Sequence, residues 1–218
     1  MGRLFTGFVK VTGWPIELVI FRNKIHYEDK KAQSRKIKGS AIIISNHTSV
    51  MDYAQTLEVF FGRYIRCLTA DLMFNRSKGM GWLLRHLGMV KISRESKNFS
   101  FIEESLDILR KGGVIQVYPE SYVPKPGQKT PLEFKPSAAY IALLSRSPII
   151  PVYTDGNYFG KGRANIMIGK KIDVNELIDE NLDTQENIKR INEYVRNKII
   201  ELRDETERKK EQSKKKKV

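Results

Sequence analysis

Along most of this chain, short apolar runs alternate with stretches of helical period. Gly39 to Ser45 is a β-branched run that reads as a buried strand, and Tyr64 to Ala70, Met89 to Ile92, Val114 to Tyr118, Ile149 to Tyr153 and Ala164 to Ile168 read as further strands. Met51 to Phe61 and Gly81 to Leu87 have helical character. Ser100 and Glu103 stand at capping-box spacing, and Ile102, Leu106 and Leu109 continue one apolar face until Gly112-Gly113 stops it. A loop rich in Pro, Gly and Lys spans Pro119 to Lys135, and Pro136 opens a helix carrying Ala138, Ala139, Ile141, Ala142, Leu143 and Leu144. Asp183 and Glu186 box the start of a last helix, whose apolar face is Ile188, Ile191, Val195, Ile199 and Leu202. Strands alternating with helices predict a single layered α/β domain with a mostly parallel central sheet flanked by helices.

The first residues break this pattern. Phe5, Phe8, Val9, Trp14, Ile16, Leu18, Val19, Ile20 and Phe21 are too many apolar residues for a solvated arm, yet Lys10 and Glu17 interrupt them. Two charges make a poor membrane span, and no small-residue site follows that would suit a cleaved leader. The segment fits an amphipathic helical anchor lying in the membrane interface, with Trp14 and Pro15 marking a bend between two short helices. A core helix packing on its own domain is the alternative. The expected organisation is interfacial docking helices over 1–36, a catalytic-sized domain over 37–202 and a basic tail over 203–218.

Charge sharpens the reading of both ends. The chain has 218 residues and a net charge of +14, of which residues 1–40 hold +6 and residues 203–218 hold +4. An excess at two flanks suits an anionic surface, and without a nucleic-acid motif a membrane is favoured over DNA or RNA. Cys67 is the single cysteine and there are three histidines, so neither a disulfide nor a multi-cysteine or histidine metal cluster is expected. Cys67 alternates with Ile65 and Thr69 and reads as packing, and a reducing, cytoplasmic setting fits.

Candidate chemistry lies where strands end. The run Ala41 to Ser45 leads into Asn46-His47-Thr48-Ser49-Val50-Met51-Asp52, and sites in open α/β sheets sit at the carboxyl ends of strands. If a helix starts just after His47, its first turn returns Asp52 to the imidazole, fixing the tautomer and making a general base for a hydroxyl. The other reading is a polar cap at a strand–helix junction, with Asn46, Thr48 or Ser49 capping. Val117-Tyr118-Pro119-Glu120-Ser121 also ends a strand, as does Val90-Lys91-Ile92-Ser93-Arg94, whose arginine could pair with phosphate.

Taken in order, these features resemble the glycerolipid (1-acylglycerol-3-phosphate) acyltransferase family over residues 1–170. Asn46, His47 and Asp52 match its Asn-His-x4-Asp box, Arg94 its arginine-ended strand, and Ile149-Ile150-Pro151-Val152 its proline-bearing strand. Phe134-Lys135-Pro136-Ser137-Ala138-Ala139 resembles the stretch leading into that strand. The Phe-Pro-Glu-Gly-Thr-Arg box is matched only by Tyr118-Pro119-Glu120, because Ser121-Tyr122-Val123 stands where Gly-Thr-Arg is expected. The resemblance implies acyl transfer from an acyl thioester, on coenzyme A or acyl carrier protein, to a lysophospholipid hydroxyl. His47 would be the base and Asp52 its orienter, with no other cofactor and no metal. Asn46, Arg94, Pro119, Glu120, Lys125 and Lys129 become the expected substrate-binding residues, the two lysines as point charges replacing the missing arginine fork. Backbone N–H groups near the helix start are the expected oxyanion donors. The expected setting is peripheral, on the cytoplasmic side of the membrane. The broken box also leaves open a non-catalytic or altered-specificity lipid-binding homologue.

Overall fold

A computed structural model of the chain describes residues 2–93, 99–125, 128, 130–159 and 162–215. Arg94 and Lys129 lie outside the described residues. Seven strands form one sheet: β1 (Lys24–Tyr27), β2 (Ala41–Ser45), β3 (Ile65–Ala70), β4 (Val90–Ile92), β5 (Val114–Val117), β6 (Ile149–Thr154) and β7 (Asn165–Ile168), in the spatial order β1-β7-β6-β2-β5-β3-β4. Every pairing is parallel except β6 with β7. Strands β2, β5 and β6 are buried along their whole length, because helices cover both faces; this is why they read as unbroken apolar runs.

The helices are α1 (Gly2–Phe21), α2 (Asp52–Val59), α3 (Asp71–Asn75), α4 (Lys78–His86), α5 (Ser100–Arg110), α6 (Ser137–Ser145) and α7 (Thr184–Lys215). One face of the sheet, with Ile42, Ile44, Ile115, Val117 and Ile149, packs on α5, α6 and α7. The other, with Ile43, Val114, Ile150, Val152 and Ile166, packs on Leu57, Val59 and Phe60 at the end of α2. Asp183 and Glu186 form the expected reciprocal cap, each accepting the other's backbone N–H at 2.8–3.1 Å. The Ser100–Glu103 pair does not box α5, since Phe99 holds the cap position and Ser100 is already helical.

Three boundaries differ from expectation, and one short helix is additional. The expected docking segment 1–36 includes residues 24–27, but these form β1 and pair with β7, so the domain takes in the chain from about residue 22 onward. The stretch after Leu202 is not a separate tail: α7 continues through it to Lys215, with Thr206 fully buried. Residues 2–21 make one helix rather than two, with Pro15 inside it. The short helix α3 had no periodic signal of its own in five residues.

Helix α1 packs on α2 and α4 with its polar side inward. Thr6, Lys10 and Phe21 are buried, whereas Leu4, Phe8, Val11, Ile16 and Val19 are exposed. The Lys10 ammonium donates to the carbonyls of Phe61 at 3.0 Å and of Arg63, capping the chain just past α2. By length and composition α1 is long and apolar enough to cross a membrane, and little of it is buried in the protein.

Candidate active site

The site lies at the carboxyl edge of the central strands. His47 leaves β2 and Glu120 leaves the neighbouring β5, so the topology alone sets them side by side. His47 Nδ1 is 2.7 Å from Asp52 Oδ2. Because the carboxylate accepts, Nδ1 is the donor, and in the neutral imidazole Nε2 carries the lone pair. Among the described residues no side chain bonds Nε2, and the imidazole is 19% exposed while Asp52 is 2% exposed. The Tyr118 ring stacks on the imidazole at 4.5 Å between centroids and 21° between planes. His47 is therefore held on one ring nitrogen and one face, with the other nitrogen open.

Asp52 is the most heavily bonded group in the site. Its Oδ2 also accepts the N–H groups of Thr48 (2.6 Å) and Ser49 (3.0 Å), and its Oδ1 accepts the hydroxyls of Thr48 and Tyr158, both at 2.7 Å. The cap reading is thus reversed. Asp52 gathers the N–H groups of the turn before α2, while the α2 cap position is Met51, without a side-chain cap bond. Burial, and next the Asp52 charge, push the Tyr158 phenol well above its ordinary range, so it stays a donor. The loop carrying Tyr158 reaches Thr48 only because Gly156 has no side chain: a Cβ there would lie 2.6 Å from Thr48 Oγ1, and its φ is +65°. From Tyr158 and Thr154, hydrogen bonds continue to Gln55, from Gln55 to Asn23, and from Asn23 to Glu58 beneath α1.

The expected substrate contacts Asn46, Pro119 and Glu120 are all buried, and each is bonded to the framework. Asn46 pairs with both backbone groups of Thr154 at 2.9 Å, stapling the end of β2 to β6. Glu120, 0% exposed, accepts the His47 N–H at 2.8 Å and the Leu132 N–H at 2.7 Å. Burial lifts its carboxyl above the ordinary value, and the two N–H bonds restrain that rise. The Pro119 carbonyl accepts the Lys135 N–H. Helix α7 fixes the same loop from behind, as Arg196 donates to Leu132 O and Asn192 to Phe134 O, both at 3.0 Å. Lys125 is exposed at the rim. So are Val50, inside the first motif, and Tyr122 and Val123, just after the second. Cys67 is buried and its thiol is pushed up to about 12, in keeping with a packing role.

Two further findings bear on the chemistry. The N–H groups of His47, Thr48 and Ser49 are all taken by carboxylates, and Met51 N–H bonds Ser49 Oγ, so four of the backbone N–H groups near the helix start are already engaged. Ser121 adopts φ +65°, the left-handed region that favours glycine, at the position where the six-residue box has glycine. The backbone demand is kept though the residue is not. No local pattern ties Tyr158 and Thr154 to Asp52, over 100 residues away, and Gln55, three residues on in α2, carries no signal of its own.

The acyltransferase family model matches residues 23–155, more than half of the chain. Human 1-acyl-sn-glycerol-3-phosphate acyltransferase beta is 24% identical over 148 residues, covering 66% of this chain and 51% of that protein. The chain thus spans about half the length of that curated relative. The crystal structure of the 1-acyl-sn-glycerophosphate (LPA) acyltransferase PlsC from Thermotoga maritima shares the fold, with a TM-score of 0.64 at 21% identity over 91% of this chain and 79% of that one.

Proposed function

This chain belongs to the acyltransferase family, and from that premise we propose that it moves a fatty acyl group from an acyl thioester, on coenzyme A or acyl carrier protein, to a hydroxyl of a lysophospholipid such as 1-acylglycerol-3-phosphate. The observation that carries the reading is the 2.7 Å His47–Asp52 bond at the carboxyl edge of the sheet, with Nε2 left open. Nε2 takes the acceptor's hydroxyl proton as that oxygen bonds to the thioester carbonyl carbon. Asp52 stabilises the imidazolium so formed, as in a triad lacking its serine. The tetrahedral adduct then breaks its C–S bond, and the thiolate takes the proton back from Nε2. Carbon, sulfur and proton are all accounted for without a covalent enzyme intermediate.

The exposed Val50, Tyr122 and Val123 at the rim suit an acyl chain arriving from a bilayer. Lys125, with Arg94 and Lys129 beyond the described residues, is the proposed contact for the acceptor's phosphate. Helix α1 docks the enzyme on the membrane with its apolar side outward. Lys10 and Glu17 turn toward the protein, which favours lying in the interface over spanning, and the cytoplasmic leaflet is the proposed side. The replacement of Gly-Thr-Arg by Ser121-Tyr122-Val123 favours one second reading, a lipid-binding homologue with altered acceptor or no turnover.

The test is to incubate the protein with acyl-CoA or acyl carrier protein and a panel of lysolipids, and to identify the product by mass. Removing the base in His47→Ala should lower turnover by about 10³-fold or more while the fold persists. Undiminished turnover by a folded His47→Ala protein would sink the mechanism. Lysolipid binding by the wild type without thioester consumption would establish the second reading.

A further inference from the structure

We infer that the opposite edge of the sheet carries a second ligand site, which binds the phosphate of an anionic phospholipid headgroup. A cavity of about 440 Å³ lies there, lined by Arg3 at the start of α1, Arg63, Tyr64 and Arg66 around the start of β3, and Asp107 and Lys111 at the end of α5. Val114, the first residue of β5, also lines it. The same strand ends next to Glu120, so the cavity and His47 are separated by roughly 15–20 Å of strand and turn.

Four cations face one acid in this cavity. Asp107 pairs with Lys111 at 2.6 Å and also attracts Arg66, so the lining keeps a clear excess of positive charge. Two of the arginines are held in place before any ligand arrives. Arg63 Nη2 donates to the carbonyls of Gly39 (2.7 Å) and Gly112 (2.8 Å), and the Arg66 guanidinium lies over the Tyr64 ring, 5.4 Å from its centroid. Planar, pre-positioned guanidinium groups match the geometry of phosphate oxygens better than mobile ammonium groups do. Their concentration in one concave site marks a phosphate site, whereas a merely solubilising surface would spread its charge.

Phosphate could come from a lipid or from solution, and the position favours the lipid. Leu4 and Phe8, 83% and 65% exposed, stand on α1 within five residues of Arg3. With those side chains among acyl chains, Arg3 and the cavity mouth lie at the level of the headgroups. Phosphate binding here does not depend on the acyl-transfer reading. The choice of a lipid source rests on α1 docking against the bilayer.

The test uses the full chain and calorimetric titration with three probes: dihexanoylphosphatidylglycerol below its micelle concentration, dihexanoylphosphatidylcholine, and inorganic pyrophosphate. Phosphatidylglycerol should bind and phosphatidylcholine should not. The double variant Arg3→Gln/Arg66→Gln should weaken phosphatidylglycerol at least tenfold, Arg66→Lys should keep part of the affinity, and His47→Ala should leave it unchanged. Because binding is read without turnover, failure of the catalytic proposal would not affect the result. Equal phosphatidylglycerol affinity in wild type and double variant, with the same far-ultraviolet circular dichroism, would overturn the site. Arginine-dependent binding of pyrophosphate alone would overturn the lipid assignment and make the site one for free phosphate.

Discussion

Helices α1 and α7 flank the same sheet and are built in opposite senses. Helix α7 turns Ile188, Ile191, Val195, Ile199 and Leu202 into the core and its charged residues to water. Helix α1 buries Thr6 and Lys10 against the domain and leaves Leu4, Phe8, Val11, Ile16 and Val19 outside. Each is amphipathic, so periodicity does not separate them. What differs is the outer face: charged and suited to water on α7, apolar on α1, in keeping with the proposed docking against a membrane. An apolar face pointing away from the protein is unfavourable in water, and its presence over about four turns, from Leu4 to Val19, is the strongest structural support for the proposed membrane docking.

The contrast can be broken first at α7. Ile199 is fully buried, so Ile199→Ala should lower the unfolding free energy by about 2–5 kcal/mol in a denaturant titration. The matching change on α1, Phe8→Ser with Val11→Ser, should move that midpoint by less than about 0.5 kcal/mol. It should instead cut partitioning onto anionic vesicles by about tenfold or more, since each lost side chain forfeits about 1.5–3 kcal/mol of apolar transfer. Vesicle binding as strong as wild type would mean that α1 is not the anchor.

Smaller effects probe the inward side of α1. Lys10→Met leaves the carbonyls of Phe61 and Arg63 without their donor and should cost about 1–3 kcal/mol, visible as easier proteolysis between α1 and β1. The smallest effect is a pH profile. Burial, with the Glu58 charge, lifts the Glu17 carboxyl to about 7 against the Lys10 charge, and burial lowers the Lys10 ammonium to about 8 against Glu17. An acid raised in the folded state stabilises docking fully below its ordinary 4.5, and that contribution is lost as pH rises through about 7. A base lowered in the folded state contributes fully above its ordinary 10.5, and that is lost as pH falls through about 8. Docking of α1 should therefore be weakest between about pH 7 and 8. Glu17→Gln should flatten the acid side of the profile, read from Trp14, which packs near Phe61 across the helix interface.

The sequence by itself determined the parallel core and the place of the chemistry. Apolar β-branched runs can be stable only as strands covered on both faces, and a motif directly after such a run must emerge at the carboxyl edge of the sheet. The His47–Asp52 bond was legible for the same reason, because five residues of one turn bring the two together whatever the rest of the chain does. The tertiary structure alone decided what lies far apart in sequence. It placed Tyr158 on Asp52, made the buried Glu120 the acceptor of the His47 N–H, and drew residues 24–27 into the sheet. It also chose the face of α1 that meets the protein. A composition of apolar and charged residues fixes that a helix has two sides, but which side turns inward depends on the partners available. Here the bare carbonyls after α2 bind Lys10 more favourably than they would any apolar side chain.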